Sequence, residues 1–388
     1  MDNSNIKENN SKNYKNNLSK GESLEYRIKR LLFHMGYYAQ NNVVLKTSSE
    51  RDAERITDID VYGIYIHKDF RKKTVCVDCK SGGARPLERI LWLRGLKDLY
   101  NIDDILFVKS NVKKSIKEFA RKNGIQILEI QTIDRLEKSF VPNVSTWKGS
   151  FNYAIDNGKL NELAKFNIPC NDEYKRVKEF ISYGYWALDN YSRLKKTITA
   201  LKVFANISLE SLKENEDTLV RWAIYKLIVL FALSVIDICR ELYYYSDTEI
   251  EEIIRNKLVS GNIPISKRRE ILSGSYKLAF QIIKAENPNI TLQQNKLELS
   301  YFEQPPSYFD ALIDLVFRMI NNPMKYNELV RFMDYSLFEY DMNSLPYNMS
   351  ELSQIFDDID GKITAEKLII HFVCQETKIN KNIFELFR

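Results

Sequence analysis

The sequence predicts two parts of different fold class, an α/β N-terminal domain and an all-α C-terminal domain. In the N-terminal part, Ile56–Ile66 and Val75–Lys80 alternate apolar and polar side chains with the period of a β-strand. Helical and strand patterns around these two stretches follow the order α-β-β-β-α-β-α-β. From about residue 150 onward, helical periodicity dominates the sequence.

The elements of the α/β part have recognisable boundary signals. A first helix ends near Gly36, because apolar residues from Leu24 to Met35 recur at helical spacing and a glycine follows them. Pro86 suits the first turn of a second helix, which runs to Tyr100. The other predicted elements are the strands Tyr37–Leu45, Ile56–Ile66, Val75–Lys80, Ile105–Val108 and Ile125–Ile130, and the helix Val112–Lys122.

Composition places the domain boundaries. Residues 1–17 are poor in apolar side chains and are predicted to be a disordered tail. The α/β domain then covers residues 18–140, a linker containing Pro and Asn covers 141–150, and the helical domain covers 151–388. The predicted helices of the last domain are Glu173–Leu188, Leu194–Leu209, Thr218–Tyr245, Ser266–Ala285, Tyr308–Ile320 and Asn327–Tyr340, with shorter ones to the end.

The overall composition is that of an ordinary soluble protein, with 44% hydrophobic and 28% charged residues. The five cysteines are scattered and odd in number, which indicates no disulfide framework and suits a reducing cytoplasm. Cys76 and Cys79 have no second pair to complete a zinc site, so buried thiols are the better interpretation. The longest apolar run, Leu227–Ile236, is too short to cross a bilayer and predicts a buried helix. We therefore expect a cytoplasmic protein without a membrane partner.

Charge is unevenly distributed between the two parts. Residues 1–150 hold 28 Lys and Arg against 19 Asp and Glu, a net charge of +9, whereas the remaining residues hold 29 against 33, a net charge of −4. A basic surface attracts a polyanionic substrate such as nucleic acid. Arg85 directly precedes the helix that begins at Pro86, and Arg89 and Arg94 lie on it. All three could reach phosphates, although a solvated outer face is the more ordinary interpretation of each.

Asp60, Asp78 and Lys80 are predicted to share one patch of the sheet. The polar run His67–Lys73 joins the two alternating stretches, so that they form a hairpin. A loop centred within that run places Asp60 opposite Asp78 or Cys79. Because alternate residues of a strand share a face, Lys80 lies beside Asp78.

This residue set has a specific chemical use. Two carboxylates a few ångströms apart repel each other unless a positive charge lies between them. Carboxylate oxygens suit Mg²⁺ or Mn²⁺, and a neighbouring lysine can orient or deprotonate a water molecule. The patch is therefore predicted to hydrolyse phosphodiester bonds with a metal-activated water. Charged alternation on a solvated strand is the alternative, because it often produces Asp-x-Lys.

Glu25 is a further candidate on the first helix. It lies beside the apolar stripe, between Leu24 and Ile28, and can therefore project toward the sheet as an additional ligand of the metal or of its water. The alternative is a surface ion pair with Lys29, four residues further along the same helix.

Several short motifs, taken together, carry a family resemblance. They are Gly21–Glu25, Met35–Tyr37, Ile59–Gly63, Val77–Lys80, the strand Ile105–Ser110 and Ala120–Ile125. With them, residues 18–140 resemble the restriction-endonuclease-like PD-(D/E)XK nuclease superfamily, nearest to its Mrr-like and archaeal Holliday-junction-resolvase-like branches. Two features depart from the family pattern: Thr57–Asp60 replaces the prolyl dipeptide, and no glutamine follows shortly after Lys80.

The resemblance implies a restriction-endonuclease-like fold, with a central mixed sheet flanked by helices, and a Mg²⁺- or Mn²⁺-dependent endonuclease. Carried over by position, it makes Asp60 and Asp78 metal ligands and Glu25 an outer ligand. It assigns the backbone carbonyl of Cys79 to the same metal and gives Lys80 the role of positioning the nucleophilic water.

The substrate favoured by the resemblance is DNA, in a setting such as prokaryotic restriction or phage defence. Two alternatives stay open: the same chemistry on RNA, and a catalytically silent nucleic-acid-binding regulatory module with a nuclease fold. For residues 151–388, the sequence favours no choice among target selection, regulation, and assembly with a second copy or a partner protein.

Overall fold

The computed structural model describes residues 20–48, 53–80, 85–140, 147–166, 177, 179–181, 183–207, 214–287 and 303–385. The predicted disordered tail, residues 1–17, lies outside these ranges. So do residues 173–176, 178 and 182 of the predicted helix Glu173–Leu188, whose described part includes a 3₁₀ turn over Gly184–Ala187.

A five-stranded mixed sheet forms the centre of the N-terminal part, as the coarse α/β prediction requires. Its strands are β1 (Tyr38–Lys46), β2 (Arg55–Ile66), β3 (Lys72–Cys79), β4 (Asp104–Val108) and β5 (Ile125–Leu128), in that spatial order. The first three strands are antiparallel neighbours, and β4 and β5 continue the sheet in parallel from β3. Parallel neighbours need a crossover connection, which the helices between these strands provide.

Among the described residues of this part, four helices surround the sheet: α1 (Lys20–His34), α2 (Pro86–Tyr100), α3 (Lys114–Lys122) and α4 (Ile130–Phe140). The sequence analysis did not predict α4 and extended the last strand to Ile130, where the structure ends it at Leu128. The error arose because Ile130 prolongs the apolar pattern of the strand, although it already belongs to the helix whose buried residue is Ile133.

The two faces of the sheet carry separate apolar clusters. The α1-side cluster comprises Leu24, Ile28, Leu32, Ala39, Val61, Val75, Val77, Cys79, Val108 and Ile133. The α2-side cluster comprises Val43, Ile59, Cys76, Ile90, Leu93, Leu96, Ile102, Ile105, Phe107, Ala120 and Ile125. Side chains of β3 therefore alternate between the two clusters, as its sequence pattern predicts.

The C-terminal part is largely helical. Its helices are α5 (Tyr153–Lys165), α6 (Asn190–Ala205), α7 (Glu214–Leu242), α8 (Asp247–Ser260), α9 (Ile265–Glu286), α10 (Phe309–Ile320), α11 (Pro323–Tyr326), α12 (Leu329–Tyr335), α13 (Met349–Leu352) and α14 (Ile359–Thr377). The predicted helix Asn327–Tyr340 ends in a π-helical turn over Ser336–Tyr340. The sequence analysis did not predict α5 and α8, although Asn152 and Ser246 cap their first turns.

Helix α7 lies at the centre of the helical part. Within the described residues, it is the one helix long and apolar enough to cross a membrane, and 94% of its most apolar window is buried inside the protein. It packs against α6, α10, α12 and α14. The burial agrees with the interpretation of Leu227–Ile236 as part of a core helix.

The two parts share buried surfaces. Tyr38, Ile64, Ile66 and Phe70 from the β1–β3 region lie in the same apolar cluster as the residues of α6, α7 and α14. The described end of the predicted linker, residues 147–150, is packed against the helical part, and a Cβ at Gly149 would collide with the carbonyl of Phe338. The division at residues 140 and 150 stays a prediction.

Candidate active site and metal centre

The β2–β3 hairpin brings Asp60 and Asp78 to the same end of the sheet. Val61 pairs with Val77 in the antiparallel ladder, so that Asp60 and Asp78 occupy the next opposed positions. His67 and Arg71 close the turn through a backbone hydrogen bond, and Phe70 in that turn has a φ of 61°. The hairpin and its register are those that the sequence predicts.

A local irregularity directs the Asp60 side chain. On β1, Ala39 belongs to the α1-side cluster and Val43 to the α2-side cluster; on β2, Val61 and Ile59 divide in the same way. In each strand the two residues are an even number of positions apart and would face the same side of a regular strand. Both strands therefore change faces here, next to Asn42, whose φ of 56° is left-handed. At this point Asp60 Oδ2 accepts the backbone N–H of Cys79 at 2.6 Å.

Lys80 lies between the two carboxylates. Its Nζ is 3.2 Å from Asp60 Oδ2 and 3.1 Å from Asp78 Oδ1. Burial lowers the pKa of Lys80, but the charges of Asp78 and Asp60 outweigh burial and raise that pKa above its ordinary value. Burial also raises the pKa of Asp60, against the opposing effects of the Cys79 N–H and the Lys80 ammonium. Lys80 is thus an ammonium shared by two acids.

Arg89 is the second cation of the site, and the sequence analysis misjudged it. Its Nε is 2.8 Å from Asp78 Oδ2 and its Nη2 is 2.5 Å from Asp78 Oδ1, a bidentate ion pair on a carboxylate whose side chain is 4% exposed. The guanidinium also lies 3.8 Å from the ring centroid of Trp92. A solvated outer face is therefore wrong for Arg89. Its spacing from Leu93 and Leu96, four and seven residues on, was the signal that it shares their buried face.

Arg85, which directly precedes α2, and Arg94, within it, lie on the outer surface. Arg85 forms an ion pair with Glu88, and its side chain is 81% exposed. Arg94 forms an ion pair with Asp98, four residues further along the helix. These two arginines fit the solvated interpretation that the sequence analysis gave them.

Cys79 takes part in the candidate site through its backbone and not through its thiol. Its side chain packs in the α1-side cluster, and burial, with the charges of Asp60 and Glu25, raises the pKa of its thiol. Cys76 lies in the α2-side cluster, so that the two thiols face opposite sides of the sheet. The geometry agrees with the interpretation of Cys76 and Cys79 as buried thiols and leaves the carbonyl of Cys79 as the group assigned to a metal.

Glu25 lies on the α1 side of the sheet, opposite to the face that α2 covers, and approaches the end of the sheet that carries Asp60 and Asp78. It lies on α1 and is close enough to Cys79 for its charge to raise the pKa of the thiol. A surface ion pair with Lys29 does not fit, because Lys29 is fully buried and donates to the carbonyl of Ser150 at 2.6 Å.

The donor set can be tested against a divalent cation. Among the described residues, no three or more His, Cys, Asp and Glu side chains are grouped as a metal site. Asp60 and Asp78 nevertheless offer hard oxygen ligands around one point, the Lys80 ammonium. Mg²⁺ commonly binds one or two carboxylates and completes its shell with water and phosphate oxygens. The two carboxylates therefore fit Mg²⁺ or Mn²⁺, provided that their present cations give way.

Comparisons with known proteins give no relative. No protein-family model, no curated protein and no solved structure matches the chain. Membership of the PD-(D/E)XK superfamily therefore rests on the residue motifs and stays a prediction.

Proposed function

We propose that this chain is a Mg²⁺-dependent nuclease that hydrolyses the phosphodiester bonds of DNA as an endonuclease. The observation that carries the proposal is the single ammonium of Lys80 held between Asp60 and Asp78, with both distances close to 3 Å. A lysine beside two carboxylates on two neighbouring strands is suited to phosphodiester hydrolysis. The net charge of +9 in residues 1–150 supports a polyanionic substrate.

Each residue then has a distinct role. Asp60 and Asp78 would hold the cation, together with the carbonyl of Cys79, and the N–H of Cys79 fixes the orientation of Asp60. The cation, when bound, supplies Lewis-acid activation of a water and of the scissile phosphate. Lys80 would orient that water through its ammonium group, and Glu25 would act from α1 as an outer ligand.

The first experiment asks whether the protein cleaves nucleic acid and which kind it cleaves. Purified full-length protein is incubated with duplex, single-stranded and branched DNA and with RNA, in Mg²⁺, Mn²⁺ or EDTA. We expect cleavage of DNA in Mg²⁺ or Mn²⁺ and none in EDTA. Cleavage of RNA alone would replace the substrate in the proposal, and a role in prokaryotic restriction or phage defence would lose its support.

A catalytically silent nucleic-acid-binding module is the second candidate. The observation that favours it is the bidentate ion pair of Arg89 with Asp78, which engages both oxygens of a proposed metal ligand. A silent module would bind DNA equally well in Mn²⁺ and in EDTA and would cut none of the substrates. For the helical part we propose target selection, regulation or assembly with a second copy or a partner protein.

A further inference from the structure

Both oxygens of Asp78 are engaged by cations of the chain itself. Oδ1 accepts from Arg89 Nη2 and lies 3.1 Å from Lys80 Nζ, and Oδ2 accepts from Arg89 Nε at 2.8 Å. The arginine fork takes one lone pair of each oxygen, so a metal ion cannot bind this carboxylate through both oxygens at once while the fork is in place. Binding of a cation to Asp78 therefore competes directly with Arg89.

The charge of the site leads to the same conclusion. Asp60 and Asp78 carry two negative charges, and Lys80 and Arg89 carry two positive charges at close range. A divalent cation added to this neutral set would create an excess of two positive charges in a partly buried place. That excess falls if Arg89 moves away from Asp78 or if a phosphate enters.

Arg89 has the means to move. Its side chain is 24% exposed, so it borders solvent, and it projects from α2 with the guanidinium on the face of Trp92. A guanidinium fork binds phosphate oxygens with the same bidentate geometry as it binds a carboxylate. Lys80 Nζ also lies 3.1 Å from Asp78 Oδ1, so Arg89 is not the only positive charge of the chain beside that acid.

We propose that Arg89 is an exchangeable counter-ion. It neutralises Asp78 while the site holds no metal, and it binds a phosphate oxygen of the nucleic acid when a divalent cation takes Asp78. The inference rests on the proposed function, and it makes metal and nucleic acid bind cooperatively, because each removes an obstacle to the other.

The first test measures metal affinity, with no turnover. Full-length wild type, Arg89→Gln and the control Arg85→Gln are titrated with Mn²⁺ by calorimetry. A charge-assisted pair on a buried acid resists displacement, so we expect Arg89→Gln to bind Mn²⁺ roughly tenfold more tightly than wild type. Arg85→Gln should match wild type, because Arg85 pairs with Glu88 at the surface. If Arg89→Gln fails to fold, Arg89→Lys keeps the charge without the fork and should show a smaller gain.

The second test measures DNA affinity and asks whether Arg89 binds the nucleic acid when metal is present. A labelled DNA duplex is titrated with Lys80→Ala and with Lys80→Ala/Arg89→Gln, a background chosen to prevent cleavage. In Mn²⁺, loss of Arg89 should weaken duplex binding several-fold; in EDTA the two proteins should bind alike, since Asp78 then holds the arginine.

The outcomes separate this inference from the proposed function. If wild type binds no Mn²⁺, both are overturned. If wild type binds Mn²⁺ but Arg89→Gln binds it no more tightly, or if the loss in duplex binding is equal in EDTA, the exchange is overturned and the nuclease proposal stands.

Discussion

Lys29 on α1 and Asp156 on α5 form a buried ion pair, with 3.6 Å between Nζ and Oδ2, that joins the sheet part to the helical part. Tyr26 donates to the same carboxylate at 3.0 Å, and Lys226 Nζ on α7 lies 3.4 Å from its other oxygen. Lys226 also lies 3.7 Å from Asp334 on α12. The two parts are thus connected by buried charges.

Replacement of Asp156 should therefore be costly. Asp156→Asn leaves Lys29 and Lys226 buried with only Asp334 to balance them, and breaking one side of a buried pair costs about 3 kcal/mol or more in the free energy of unfolding. The matched control is Asp98→Asn, because Asp98 pairs with Arg94 at the surface and should change that free energy by less than about 1 kcal/mol. Urea denaturation measures both, and equal losses would contradict the assignment.

Stability should also fall as the pH rises through neutrality. Burial raises the pKa of Glu366 to about 7, although Ser336 and Tyr347 donate to its two oxygens and lower it. Burial likewise raises the pKa of Glu339 to about 7. A pKa raised in the folded state stabilises the protein fully below the unfolded value of 4.5, and that contribution is lost as the pH rises through about 7.

Ionisation of each of the two carboxyls should lower the free energy of unfolding by at most about 3 kcal/mol as the pH rises from about 5 to about 8. Glu366→Gln cannot ionise and should make the pH dependence shallower by its share. Urea denaturation of wild type and variant at several pH values tests this. Parallel curves for the two proteins would show that Glu366 is already ionised at low pH.

The metal ligands should differ in their effects. Asp60→Asn and Asp78→Asn each remove one ligand charge, so both should bind Mn²⁺ at least tenfold more weakly in calorimetry. Asp60→Asn keeps a carbonyl that can accept the Cys79 N–H, whereas Asp78→Asn leaves Arg89 without its carboxylate. Asp78→Asn should therefore be the less stable variant without metal. Asp104→Asn, whose partner is the exposed Lys73, is the control. Unchanged Mn²⁺ binding in both variants would show that neither carboxylate is a metal ligand.

The sequence predicted the parts of the site that follow from strand geometry. Alternation along Val75–Lys80 and the polar run before it were enough to place Asp60 opposite Asp78, because a strand has a fixed period and a hairpin a fixed register. The long helices of the C-terminal part were predicted for a similar reason, since the apolar residues of α7 and α10 recur at helical spacing.

What the sequence did not predict depends on long-range packing. The pairing of Arg89 with Asp78 requires α2 to lie over β3, which no local pattern of the chain encodes. The change of strand face at Asn42 and the burial of Lys29 among residues more than 100 positions away are likewise products of tertiary contact. Such charged residues look like solvated ones until their partners are known.

The proposed function depends above all on Lys80, and its removal is the most direct test. Wild type, Lys80→Ala and the control Lys73→Ala, on the same strand but paired at the surface with Asp104, are compared for cleavage of duplex DNA in Mg²⁺. We predict that wild type and Lys73→Ala cut the duplex, and that Lys80→Ala loses cleavage by a factor of about 100 or more with its fold and its duplex affinity nearly intact. Cleavage by Lys80→Ala at the wild-type rate would contradict the account.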